Sequence, residues 1–211
     1  MNKNKILILG SGGHSRVIID SAKNNNYLIK GIIDINSSDQ NINNEKILGI
    51  PVIGNLNKIN SLLDDNLSIF LAIGDNNLRN KIANLSILKK FNKINIIDKN
   101  TIISNYSKIN SGTYIAPGVI VNAEVNIGNF SIINTGSILE HEVSVGNYSH
   151  IGPGCKIAGR VKIGSYVNMG IGVCVKNNIS IGNNVIIGAG SVIINDIKSN
   201  SKVAGSPARD I

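Results

Sequence analysis

Residues 127–168, set out in sixes, read IGNFSI INTGSI LEHEVS VGNYSH IGPGCK IAGRVK IGSYVN. Each hexad opens on an aliphatic residue, and its fifth place holds only Ser, Val or Cys. The rule reaches far beyond this window. Every sixth residue from Ile97 to Ile187 is Ile, Val, Leu or Met, and the fifth places from Thr101 to Ser191 are all small or β-branched. A helix of period 3.6 would scatter these residues around its circumference, and simple alternation would not reserve one large and one small apolar slot six residues apart. The pattern calls instead for a flat strand of a few residues, a corner and another strand, repeated without insertion from 97 to 192.

This periodicity resembles that of the hexapeptide-repeat proteins. The resemblance implies a left-handed parallel β-helix with three hexads to each triangular coil, although general crossover rules favour the right hand. Sixteen hexads then make a little over five coils, a prism roughly 25 Å tall at about 4.8 Å between stacked strands. The opening aliphatics fill its axis, each contributing about 1.5–3 kcal/mol on burial. No long loop interrupts the run, so any chemistry must sit on the outer faces or corners.

In this register His141 is the third residue of its hexad, a corner, and His150 is the sixth residue of the next. Neither fills an inward slot. One coil is eighteen residues, so the residue stacked on His141 is Gly159, which has no side chain. An imidazole beside a bare backbone N–H suits acyl transfer, where the ring takes a proton from an attacking amine or hydroxyl and the N–H stabilises the oxyanion. Glu140 and Glu142 flank His141, and either can fix its tautomer. Cys155 falls in an inward slot, a poor place for a nucleophile.

Residues 1–96 have another character. Lys5 to Leu9 is a short apolar strand running into Gly10, Ser11, Gly12, Gly13 and His14, and RVIIDSAKNN follows with helical spacing. A second strand, Ile29 to Ile33, ends at Asp34. A third, Ser68 to Ile73, ends at Gly74, Asp75 and Asn76 and opens a second helix. Apolar strands alternating with helices predict a small parallel, Rossmann-like α/β sheet with its ligand at the carboxyl ends of the strands. The glycine turn is a partial GxGxxG, with Ser15 in the third glycine place. It therefore points to a phosphate-bearing ligand near a helix amino terminus rather than to NAD. Residues 37–46, SSDQNINNEK, have loop composition and are expected to border this site.

The net charge of +8 divides into 12 basic and 7 acidic residues up to Ile96, and 9 and 6 beyond it. With aromatics at 4%, no Trp and no clustered Lys/Arg, nucleic-acid binding is not expected. A nucleotide, a nucleotide sugar or coenzyme A suits the mild basicity. Cys155 and Cys174 form no metal signature, so no metal is expected, and a reduced, cytoplasmic compartment is. No leader pattern opens the chain, and no apolar run approaches the roughly 20 residues a membrane span needs.

Four motifs carry a closer resemblance over the whole chain: GSGGH at 10–14, GDNxxR at 74–79, LEHE-V-x-GxxSH at 139–150 and VAGSPAR at 203–209. Together they resemble the sugar O- and N-acetyltransferases of the sialic-acid and bacillosamine type. That resemblance implies a cytoplasmic, acetyl-CoA-dependent homotrimer in glycan biosynthesis, with active sites between subunits. It implies His141 as catalytic base with Glu142 as its carboxylate partner, His150 as a second active-site histidine, and the Gly159 amide facing the acetyl carbonyl. Gly12, Gly13, His14 and Asp34, with Gly74, Asp75 and Asn76, would hold the nucleotide sugar. Gly205, Pro207, Ala208 and Arg209 would lie near the coenzyme A nucleotide. Where bacillosamine-type members carry two successive acids, this chain reads Asp34-Ile35-Asn36.

The expected reaction is direct acetyl transfer to the amine of a nucleotide-activated, UDP-linked 4-amino sugar. O-acetylation of a sialic or nonulosonic acid is the neighbouring alternative, and a non-catalytic nucleotide-sugar scaffold is the alternative from another class. A zinc carbonic anhydrase on the same prism needs three prism histidines, and only two are present.

Overall fold

The computed structural model describes residues 4–36, 45–62 and 66–211. The chain divides into two compact units, Met1–Lys99 and Asn100–Ile211.

The first unit is built on β1 (Lys5–Leu9), α1 (Gly13–Asn24), β2 (Leu28–Asp34), β3 (Lys46–Ile47), β4 (Ile50–Asn55), β5 (Leu67–Leu71), α2 (Asn76–Ala83) and β6 (Asn92–Lys93). Strand order is β3-β4-β2-β1-β5-β6. Residues Ile6 to Leu9 of β1 are fully buried, as continuous apolar strands between covered faces should be. Helix α1 covers the sheet with Ile18, Ile19 and Ala22. From β1 the chain steps outward through β2 to β4, then returns to the other side of β1 with β5. The direction of winding therefore reverses between β1 and β5, the place where open α/β sheets take their ligands.

Two features of this sheet differ from the sequence expectation. The third predicted strand ends at Leu71 rather than Ile73. The sheet is also not wholly parallel, because β3 runs antiparallel to β4 at its edge, pairing Lys46 with Pro51 and Ile47 with Ile50. Two-residue strands have no periodicity to read, and Pro51 is tolerated because it stands near the start of β4, before the pairing with β2 begins at Val52. Of the stretch expected to border the ligand, residues 37–44 lie outside the described residues, and Lys46 opens β3.

The second unit is a left-handed parallel β-helix. Each hexad contributes a two-residue strand made of one sixth place and the next first place, as in His150–Ile151. Strands pair in parallel with those eighteen residues away, Ile133 with Ile151 and Ile151 with Met169. Three ladders form three faces. Face one carries Tyr114–Ile115, Ile132–Ile133, His150–Ile151, Asn168–Met169 and Ile186–Ile187. Face two carries Ile102–Ile103 down to Val192–Ile193, and face three Lys108–Ile109 down to Ser180–Ile181. All the opening residues from Ile115 to Ile187 are buried, and so are the fifth-place residues from Thr113 to Ser191. Those of the first coil, such as Ile103 and Ile109, are only half-buried.

The corners differ in chemistry. From Gly112 onward their fourth places turn through the left-handed region, and between faces one and two that place is Gly118, Gly136, Gly154, Gly172 and Gly190. Between faces three and one it holds stacked rings, Phe130 on Tyr148 at 5.2 Å and Tyr148 on Tyr166 at 5.5 Å. The third places of that same corner cap one another: Asn129 N–H donates to Asn147 Oδ1, Asn147 N–H to Ser165 Oγ, and Ser165 N–H to Asn183 Oδ1. The remaining corner, between faces two and three, carries His141.

The last coil is shorter than its predecessors. Ile181 bridges Ile197 and Ile187 pairs with Val203, so the register closes two residues early. The chain then folds back as a hairpin of Lys202–Gly205 and Ala208–Asp210.

Candidate active site

His141 leaves the corner with its side chain 55% exposed. Its Nδ1 lies 2.9 Å from Glu142 Oε2. A carboxylate only accepts, so Nδ1 carries the proton and Nε2 is left as the ring's base. Of the two flanking acids, Glu142 is thus the one on the imidazole, whereas Glu140 accepts from Asn122 Nδ2 at 3.0 Å. His141, and after it Arg160, whose Nε donates to the same Oε2 at 2.9 Å, hold the Glu142 carboxyl below the usual carboxylate range.

Gly159 lies against the ring. A Cβ added there would stand 2.5 Å from both Cε1 and Nε2 of His141. The imidazole occupies the space that any side chain at 159 would need. The N–H of Gly159 has no protein acceptor among the described residues, whereas the equivalent N–H groups on the aromatic corner are capped by Asn and Ser side chains. A base nitrogen and an uncapped backbone donor therefore share one corner. Cys155 has no such place: it is fully buried, its Sγ donates to Gly170 O, and burial pushes its thiol up to about 11.

His150 sits on face one, half-buried. Thr135 N–H donates to Asn134 Oδ1, which turns the Asn134 amide nitrogen onto His150 Nε2 at 3.1 Å. Nε2 is the acceptor in that contact, so Nδ1 carries the proton. Within one chain His150 and His141 belong to different faces.

Below His141 the same corner column continues through Gly159 and Asn177 to Asn195. Three coils at about 4.8 Å separate the ends, about 14 Å. At the lower end a cavity of about 380 Å³ is lined by Asn195, Asp196, Lys198, Ser201, Ala208 and Arg209, among others. Ala208 and Arg209 line it; Gly205, at φ +102°, and Pro207 form the hairpin turn that carries them there.

In the first unit the glycines separate by what the fold asks of them. Gly10 is demanded by its φ of +118° and by Ala72 O, 2.7 Å from any Cβ. Gly12, Gly13 and Gly74 have open space where a side chain would go and no left-handed φ. Nothing in the fold requires them to be glycine; their bareness leaves backbone N–H groups open to a ligand. Helix α1 starts after Gly12 with no side-chain cap, and Ser15, in the third glycine place, donates to Gly12 O at 2.6 Å. His14 lies half-buried in the first turn. Asp34, at the end of β2, accepts from Asn36 N–H at 2.9 Å. Asp75 caps α2 by accepting from Leu78 N–H, and buried Asn76 accepts from Arg79. Sequence reasoning left Arg79 out of the site. Almost fully buried, it also donates to Ile73 O and Gly74 O and so holds the β5 turn in shape. Its signal was the GDNxxR spacing, which puts Arg79 one helical turn from Asn76.

GDP-perosamine N-acetyltransferase from Caulobacter crescentus, solved as a histidine-to-alanine variant with CoA and GDP-perosamine, superposes with a TM-score of 0.91 at 31% identity, over 98% of this chain and 96% of that one. The chain belongs to the acetyl-CoA-dependent sugar acetyltransferases of the hexapeptide-repeat family. Two further members of this fold agree. The acetyltransferase domain of PglB from Neisseria gonorrhoeae, solved with acetyl coenzyme A, gives 0.89 at 28% identity over the full length of both chains. WeeI from Acinetobacter baumannii gives 0.86 at 25%, over 98% of this chain and 99% of that one. A family model described as the PglD N-terminal domain matches residues 5–86. A comparison with curated protein sequences returns no match. Among the described residues no helix is long and apolar enough to cross a membrane.

Proposed function

We propose that this acetyltransferase moves the acetyl group of acetyl-CoA to the amine of a nucleotide-linked 4-amino sugar, with His141 as general base. The observation that carries the reading is the His141 corner, where Nε2 is the free ring nitrogen and Gly159, whose N–H is uncapped among the described residues, lies against the ring. Nε2 takes the proton from the amine as its nitrogen attacks the thioester carbon. The Gly159 N–H receives the developing oxyanion, the C–S bond breaks, and the proton passes to the departing thiolate. One acetamide and one free coenzyme A result, with no acyl-enzyme. The buried Cys155 thiol has no part in it.

The pantetheine arm of the donor is read as lying along the column from Gly159 past Asn177, with its nucleotide over the Arg209 and Lys198 cavity. The sugar's diphosphate is assigned to the open backbone at Gly12, Gly13 and Gly74 and the uncapped start of α1, with His14, Asp34, Asp75 and Asn76 around it. The reading from the sequence is a UDP-linked sugar. A GDP-linked one is the second reading, favoured by the relative that binds GDP-perosamine. Thiol release from acetyl-CoA, measured across UDP-, dTDP- and GDP-linked 4-amino sugars and free sialic acid, decides between them. Turnover is expected with one nucleotide-linked amine, and release with sialic acid alone would replace N- by O-acetylation.

The enzyme is further read as a cytoplasmic homotrimer with sites between subunits. Both cysteines are free thiols. Faces one and two, and the glycine corner between them, expose Ile102, Ile171 and Ile186 at 46–67%, while face three presents Lys108, Asn126, Ser144, Lys162 and Ser180. Packing face two of one chain on face one of the next brings His150 of one chain to the His141 edge of its neighbour. Sedimentation of the active enzyme is expected to give a trimer, and a fully active monomer would remove this reading.

A further inference from the structure

We propose that Arg160 is a positioning residue for the catalytic dyad, holding the Glu142 carboxylate where it can receive His141 Nδ1; this rests on His141 being the base. Arg160 grips the dyad from the next coil at two points. Its backbone N–H donates to His141 O at 3.0 Å, and its Nε donates to Glu142 Oε2 at 2.9 Å, the oxygen that also accepts from the imidazole at 2.9 Å. Among the described residues Glu142 is otherwise held only through its backbone, its N–H donating to Ala123 O. Its side chain is 40% exposed, so without the guanidinium the carboxylate is free to rotate into solvent and release the ring.

The surrounding charges do not offer a substitute. Glu140 is turned away to Asn122, and the matching corner place of the preceding coil holds another acid, Glu124. Nor does the fold ask for arginine. Position 160 has a φ of +62°, a conformation that disfavours any side chain, and the matching place on the glycine corner is Gly in coil after coil. The side chain is 62% exposed and fills no core. What it does in the structure is hold Glu142.

Arg160→Gly is the informative variant, since glycine suits this backbone and removes only the guanidinium. A fall of about tenfold in kcat is expected, with KM for acetyl-CoA and for the sugar unchanged and thermal stability equal or higher. Arg160→Lys is expected to recover part of the rate. In a Glu142→Ala background, Arg160→Gly is expected to change nothing, because its only route to the ring has gone. Full rate in Arg160→Gly overturns the proposal. So does a tenfold loss that persists without Glu142, or a loss expressed as a raised KM for acetyl-CoA, which would make Arg160 a donor contact. His141→Ala tests the base separately: lost turnover there with full rate in Arg160→Gly removes Arg160 alone, and full rate in both removes the base reading as well.

Discussion

His141→Ala is expected to lower kcat by about a thousandfold, within the 10²–10⁴ that a positioned general base supplies. Binding of acetyl-CoA should change little, because the proposed nucleotide site, the cavity around Arg209, lies about three coils from the ring. Folding should not change either: the side chain is 55% exposed and outside the buried axis. The loss therefore belongs to kcat, and single-turnover acetylation with the dissociation constant for acetyl-CoA measured alongside separates the two. The residual rate reports what the Gly159 N–H and simple proximity contribute without a base. Near-normal turnover would remove His141 from the chemistry and leave the corner a binding feature.

Much of this candidate site is legible in the sequence because the fold is periodic. Once the hexads are counted, a position eighteen residues on is a spatial neighbour, and Gly159 falls beside His141 by arithmetic. The same count would have found Arg160 beside Glu142. It was missed because an arginine one residue past a glycine carries no signal until the carboxylate above it is known to hold the ring. The residues alone leave Glu142 and Glu140 open, since both flank the histidine; the family resemblance pointed to Glu142, and it is Glu142, in a left-handed turn, whose carboxylate returns to Nδ1. In the first unit the strands were readable where they are apolar and continuous. β3 and β6 were not, because two-residue strands take their pairing from neighbours rather than from their own pattern, and in β4 Pro51 and Gly54 interrupt the apolar run. The closing coil was not readable for a related reason: its two missing residues break the register where the hexad rule ends. The glycines show a further limit. Gly10, Gly12 and Gly13 look alike in sequence, and only their surroundings separate the one the fold needs from the two it leaves bare.

Gly159→Ala is expected to abolish most activity while leaving the protein as stable as before, and the two halves of that expectation have separate causes. Position 159 does not have a left-handed φ, so alanine suits its backbone. The atoms that the new Cβ would meet at 2.5 Å are Cε1 and Nε2 of His141, the far end of an exposed side chain that can swing away. The fold therefore loses little, and the thermal midpoint should hold within about a degree or two. The ring cannot swing without cost to its function. Turning off Gly159 either breaks the Nδ1 hydrogen bond to Glu142 or carries Nε2 away from the N–H with which, in the proposed mechanism, it shares the reacting acetyl group. A displacement of about 1 Å in a catalytic group costs on the order of 10² in rate, so kcat is expected to fall at least a hundredfold. Because the damage passes through the histidine, the two substitutions should not add: Gly159→Ala placed on His141→Ala should cost only a few-fold more. Full additivity would mean that Gly159 acts on the acetyl group independently of the ring. A hundredfold loss that vanishes in the double variant would make the glycine's main task the room it leaves for the imidazole.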